Sequence, residues 1–176
     1  MVIALAILAA MAGLMWPSIH ALLEHHNLKQ AADFAGAKLG SGRVHALETG
    51  LTYQFRFEPG GRRYILLPFD PEPEQAEGDV GARRATRTAG MLPATCKFEG
   101  GSSFNDKGTG IPDEWLSGLR NAEEYSGALW SPPVLFHPNG TATDFEVLIQ
   151  NPTAGSVRLT LRSITGGVKV SQATRG

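Results

Sequence analysis

Cysteine is almost missing from this chain. Of 176 residues only Cys96 is a cysteine, so no internal disulfide can form. Its setting, Ala-Thr-Cys96-Lys-Phe, alternates like a strand and reads as a small buried side chain rather than a reactive thiol. Net charge is scarce too. Sixteen Lys and Arg against 17 Asp and Glu leave −1, with a pI near 6.5. No global bias toward nucleic acid or acidic partners follows. Catalytic signatures are missing as well: there is no nucleophile elbow, no glycine-rich phosphate loop and no metal-ligand histidine pair at useful spacing. His25 and His26 are adjacent, and adjacent helical residues point about 100° apart, which suits a surface pair better than a chelate. His20, His45 and His137 are scattered. These absences leave no enzyme reading.

Charge is also lacking where it matters most. Residues 2–15 carry neither a charge nor a hydrogen-bonding side chain, and Trp16 and Pro17 follow. A cleavable signal peptide needs a positive start, and none precedes Val2. A membrane-spanning helix needs about 20 apolar residues, and this run falls about five short. The stretch therefore reads as a short anchor or the remainder of one.

What is present begins with a helix. Residues 1–49 are rich in Ala, Leu and Met, all strong helix formers. Pro17 removes one backbone donor, so a kink is expected there without a break. Beyond it Ala21, His25, Leu28, Ala32, Ala35, Leu39, Gly42 and Ala46 recur at three- and four-residue steps, one narrow face of small residues. Gly36, Gly40 and Gly42 each cost about 1 kcal/mol of helix propensity relative to Ala, which packing on that face must offset. Gly50 is a natural C-terminal cap.

The period then changes. Leu51, Tyr53, Phe55 and Phe57 alternate with Thr52, Gln54, Arg56 and Glu58; Pro59-Gly-Gly61 turns the chain, and residues 62–67 return as a partner strand. Residues 68–90 are acidic first (Asp70, Glu72, Glu74, Glu77, Asp79) and basic after (Arg83, Arg84, Arg87), with prolines 68, 71 and 73, and read as a solvated loop. Further strands are expected at 94–98, 134–136, 144–150, 156–162 and 168–170, with a helical turn or two over 112–119. High Gly and Pro content (21 and 11) fits such a turn-rich body. The predicted architecture is α+β: a long N-terminal hydrophobic and amphipathic helix over 1–49, then an antiparallel β-sheet or sandwich over 50–176 with irregular stretches at about 68–93 and 99–127.

One loop carries possible metal chemistry. Asn105-Asp-Lys-Gly-Thr-Gly-Ile-Pro-Asp-Glu-Trp115 resembles the short calcium-binding repeats that read D-x-D-G-D-G-I-P-D-E-W. Asn105, Thr109, Asp113 and Glu114 could supply oxygens. Asn105, Lys107 and Thr109 stand where the repeats have aspartates, which weakens a cation site, and a turn leading into a short helix is the competing reading. Calcium apart, no cofactor and no metal is expected.

Order and spacing of three stretches resemble the type IV pilin-like proteins. Within them the H-type minor pseudopilins of type II secretion and the related T-type minor pilins are most similar. Residues 2–19 resemble the family's hydrophobic segment V-x-x-I-A-I-L-A-x-x-A-x-P-S. Gly42-Arg-Val-His-Ala-Leu-Glu-Thr-Gly50, leading into Leu51-Thr-Tyr-Gln-Phe, resembles A-R-S-E-A-I-x-x-G and the first strand. Leu135-Phe-His-Pro-Asn-Gly-Thr-Ala-Thr143, then Val157-Arg-Leu-Thr-Leu and Thr165-Gly-Gly-Val-Lys-Val170, resemble F-x-P-D-G-S-A and the closing T-G-R-V-x-V. Residues 68–127 are unmatched. The family's leader ends in a glycine followed by F-T-L-x-E, where a peptidase cuts and methylates; that stretch is absent, and the expectation is a chain shortened at its N-terminus. Gly167 stands where T-G-R has arginine.

The resemblance implies a non-enzymatic subunit. Its helix would first sit in the bacterial inner membrane as a single pass, with the β-domain in the periplasm. It would then pack among the helices of other pseudopilins or pilins in a short filament that works with the secretion machinery. Ile3, Leu5, Ile7, Ala10, Leu14, Pro17, Leu28, Ala32 and Leu39 are the expected membrane and filament residues, since lipid and a helix bundle are equally apolar. Two alternatives stand beside it. One is a minor pilin for pilus assembly or DNA uptake, although nucleic acid is not among the expected partners. The other is a membrane-anchored periplasmic β-domain that binds calcium or another ligand.

Overall fold

The computed structural model describes residues 2–69, 85–100 and 108–173, with the backbone alone over 2–19 and at 21 and 173. Helix α1, Val2–Thr49, runs through Pro17 without a break. Gly50 ends it in the left-handed region at φ 73°, and its N–H donates to the Ala46 carbonyl at 3.0 Å. A side chain there would be strained, which is why glycine stands at this position.

Eight strands follow: β1 Tyr53–Phe57, β2 Arg63–Pro68, β3 Thr88–Met91, β4 Lys97–Gly100, β5 Val134–Phe136, β6 Phe145–Asn151, β7 Gly155–Leu161 and β8 Val168–Ala173. A short helix α2, Asp113–Leu116, lies between β4 and β5. The strands form two four-stranded antiparallel sheets, ordered β3-β2-β1-β5 and β4-β6-β7-β8. The expected hairpin forms, with Phe57 paired to Tyr64 and Tyr53 to Pro68. The sheets are joined at the hairpin turn. Gly60 N–H donates to Phe98 O and Phe98 N–H donates to Gly61 O, both at 2.8 Å.

The α+β architecture expected from the sequence is the one observed. Two local differences are physical. The stretch 68–93 was expected to be irregular, yet it contains β3, whose Thr-Ala-Gly-Met sequence has one β-branched residue, no aromatic and a strand-weakening glycine, too little to announce a strand. Cys96 sits in the turn before β4 rather than within the strand, and it is buried there.

Helix α1 lies across both sheets, touching β1 and β5 of the first and β6, β7 and β8 of the second. Leu28, Ala31, Ala32, Ala35, Leu39 and Ala46 enter one core with Tyr53, Phe55, Phe57, Phe98, Val147 and Leu159. Burying each large apolar side chain contributes about 1.5–3 kcal/mol. The small residues on the helix set how close it comes. A Cβ on Gly42 would lie 2.9 Å from the Phe136 ring and 3.0 Å from Leu66.

The other face of the first sheet is covered as well. Ile65 and Leu67 pack with Leu116, Leu119, Tyr125, Ala128 and Trp130 in a second core. Gln54 is 0% exposed and Arg56 is 9% exposed in consequence. Arg56 Nε donates to Gln54 Oε1 at 2.8 Å, its Nη1 donates to the Ser131 carbonyl at 3.2 Å, and its guanidinium lies over the Trp115 ring. Burial pulls the Arg56 pKa below its ordinary value.

Candidate functional site

Three turns gather where α1 parts from the body. They are the β1–β2 turn, the approach to β4 and the β6–β7 turn, and they line one groove with Glu24. Asn151 Nδ2 donates to Glu24 Oε2 at 2.6 Å. The Asn151 Oδ1 accepts the N–H groups of Thr153 and Ala154, both at 2.9 Å, which closes the β6–β7 turn. Asn151 is itself 1% exposed, so one amide ties the helix to the tip of the second sheet. Hydrogen bonds from Asn151 first, then Thr95, hold the Glu24 carboxyl below the usual carboxylate range. Burial raises the neighbouring Cys96 thiol, opposite to what a reactive thiolate requires. An open groove of about 400 Å³ runs beside this cluster, lined among others by Glu24, Arg62, Lys97 and Asn151.

A second clasp closes on the helix nineteen residues further along, at Arg43. Its Nε donates to the Gly140 carbonyl at 3.1 Å. Gly140 and Gly166 both have positive φ, at 84° and 57°. A Cβ on Gly166 would sit 2.5 Å from Arg43 Cδ. The bare backbone of both loops thus lets the Arg43 side chain lie between them. The His137-Pro-Asn-Gly140 and Thr165-Gly-Gly167 motifs, far apart in sequence, meet the helix segment Gly42 to Gly50 at this point. Asn139 Oδ1 shapes the first loop by accepting from Thr141 N at 3.0 Å and Thr141 Oγ1 at 2.7 Å.

The residues named from the sequence divide into two groups. Ile3, Leu5, Ile7, Ala10, Leu14 and Pro17 lie on the N-terminal part of α1. Leu28, Ala32 and Leu39 instead pack into the chain's own core, each 3% exposed or less, and present nothing to a neighbouring subunit. Among the described residues, the large apolar side chains that face outward on the helix are Leu22, Leu23, Phe34, Val44 and Leu47. Leu22, Leu23 and Val44 point away from the buried face, and Phe34 flanks it, edge-on to Tyr64, a signal that the small-residue periodicity left unread. Helix length points the same way. Forty-eight residues extend about 72 Å, whereas a body of this size is roughly 35 Å across. A large part of α1 therefore extends past the sheets.

Asn105 of the calcium-like loop lies outside the described residues. Thr109 pairs with Trp130 as a β-bridge, Asp113 Oδ1 accepts a hydrogen bond from Ser126 Oγ at 2.8 Å, and Glu114 is exposed on α2. No group of three or more His, Cys, Asp or Glu side chains is placed to hold a metal ion among the described residues. Nor is any helix there long and apolar enough to cross a membrane.

A single long helix clasped by a two-sheet body defines the pilin-like fold, in the form taken by minor pseudopilins. Two solved structures of the minor pseudopilin EpsH, from the type 2 secretion system of Vibrio cholerae, are similar to this chain. One superposes with a TM-score of 0.51 at 14% identity, covering 83% of this chain and 97% of that one. The other has a TM-score of 0.52 at 14% identity, covering 86% and 97%. No protein-family model matches the sequence, and no curated protein sequence does.

Proposed function

We propose that this chain is a non-enzymatic minor subunit of a type II secretion pseudopilus. In this reading α1 sits first in the bacterial inner membrane, with the β-domain in the periplasm. The helix then joins the helices of other pseudopilins in a short filament that helps to export folded proteins. One observation carries the reading: a 48-residue helix, held by a two-sheet body over its C-terminal half, in the arrangement of a minor pseudopilin along nearly all of that protein's length. The outward Leu22, Leu23, Phe34, Val44 and Leu47 suit helix packing, since apolar side chains on a helix that leaves its own core gain by covering one another.

The test is deletion of the gene in its native host. Export substrates should accumulate in the periplasm, and reintroducing the chain should restore export. Unimpaired export together with lost pilus assembly or DNA uptake would favour the minor-pilin reading instead.

A further inference from the structure

The end of the body from which α1 emerges carries a charge pattern that the filament role leaves unexplained. Arg62, from the β1–β2 turn, and Lys97, at the start of β4, line the groove beside Glu24. Neither forms an ion pair among the described residues. Three carboxylates lie nearby: Glu24 within the groove, and Glu58 and Glu124 beside Arg62 on its other side. Glu24 accepts the Asn151 amide at 2.6 Å, and Glu58 holds Arg63 at 2.6 Å. Glu99, two residues along β4 from Lys97, does not line the groove. The groove thus presents two cations with no ion-pair partner among the described residues, against the one Glu24 carboxylate, at the base of the protruding helix.

Distance along the helix gives these cations a partner. The unbroken apolar run ends at Trp16, before Pro17 and Ser18, and Glu24, the first charged residue, lies eight residues further on, about 12 Å of helix rise. A bilayer's headgroup layer adds about 5–8 Å outside each face of its hydrocarbon core. With the apolar run in the hydrocarbon, the groove comes down beside the headgroups, and the long Arg62 and Lys97 side chains span what remains. We propose that Arg62 and Lys97 form a basic collar that seats the domain on anionic lipid headgroups while the helix is membrane-inserted. The collar rests on the membrane-inserted stage of the function proposed above. It adds a surface that would hold the domain upright and fix the helix's depth before extraction.

The test is partitioning of the full chain onto vesicles of neutral phosphatidylcholine alone and onto vesicles with about a third anionic phosphatidylglycerol. Each cation near an anionic surface is expected to give a roughly five-fold gain in partitioning. The double variant Arg62→Gln/Lys97→Gln should therefore bind anionic vesicles about thirty-fold more weakly and neutral vesicles as wild type does. Arg120→Gln, on the segment covering the opposite face of the first sheet, should change neither. Unchanged melting of the double variant shows that the fold survives, since neither side chain is part of a core. Equal wild-type binding to both vesicle types, or a double variant that keeps its anionic preference, overturns the collar and leaves the membrane stage standing. Binding to neither vesicle overturns both.

Discussion

The Asn151 amide donates to the Glu24 carboxylate at 2.6 Å across 127 positions of sequence. That bond joins the helix, at the point where it leaves the body, to the tip of the second sheet. Asn151→Leu removes the first of the Glu24 carboxylate's hydrogen-bond donors and leaves the N–H groups of Thr153 and Ala154 without their Oδ1 acceptor. Losing hydrogen bonds at a buried polar node costs about 1–3 kcal/mol. A fall of several degrees in Tm is expected, read by thermal melting.

The same bond has a pH signature. Glu24's folded-state pKa lies below its ordinary value of 4.5 because Asn151, and then Thr95, donate to the charged form. A depressed carboxyl contributes stability that is fully present above the unfolded pKa and is lost as pH falls through the folded one. Glu58, held by Arg63, acts in the same direction. Stability should therefore decline below about pH 4.5, and Glu24→Gln should flatten part of that decline. A pH series of melts on both proteins checks it; identical acid limbs would remove Glu24 from the account.

Two glycines of α1 should respond oppositely to the same substitution. A Cβ on Gly40 meets nothing within 4 Å, so Gly40→Ala should stabilise by up to about 1 kcal/mol through helix propensity alone. A Cβ on Gly42 meets the Phe136 ring at 2.9 Å and Leu66 at 3.0 Å. Overpacking there should outweigh propensity and cost about 1–3 kcal/mol. Parallel denaturant titrations decide it, and equal shifts for the two variants would contradict the packing.

Gly166→Ala should open the second clasp. The residue has φ 57°, and its new methyl group would overlap Arg43 Cδ. A destabilisation of about 1–3 kcal/mol is expected from strain and displaced packing together. If Arg43 is the obstacle, the double variant Arg43→Ala/Gly166→Ala should lose less than the sum of the two single changes.

Calcium provides a fifth test. With Asp113 bonded to Ser126 and Thr109 in a β-bridge with Trp130, millimolar calcium is expected to leave Tm unchanged. A concentration-dependent rise would instead reveal a cation bound by the folded chain.

Much of this fold was readable in the sequence because its signals are local. The 3.6-residue recurrence from Leu28 to Ala46 and the alternation from Leu51 to Phe57 each depend on neighbours within one element. The partition into two sheets was not readable. Lys97 pairs with Gln150, and no local pattern selects a partner 53 residues away. The burial of Gln54 and Arg56 was hidden for a related reason. Their cover comes from α2, Tyr125 and Trp130, in a stretch with little regular structure. Of the two clasps, Arg43 stood inside a motif already singled out. Glu24 did not, since a lone glutamate on an amphipathic helix reads as a solvated charge until Asn151 is placed against it.

Glu24 and Arg43 lie about 28 Å apart along α1, each tied to a different set of loops. A helix drawn lengthwise out of a bilayer would load both ties and the small-residue face between them together, in shear. Contacts loaded in parallel share a force, whereas contacts peeled in series face it one at a time. The Gly60–Phe98–Gly61 stitch then passes that load from one sheet to the other, so the domain would travel with its helix as a single mechanical body.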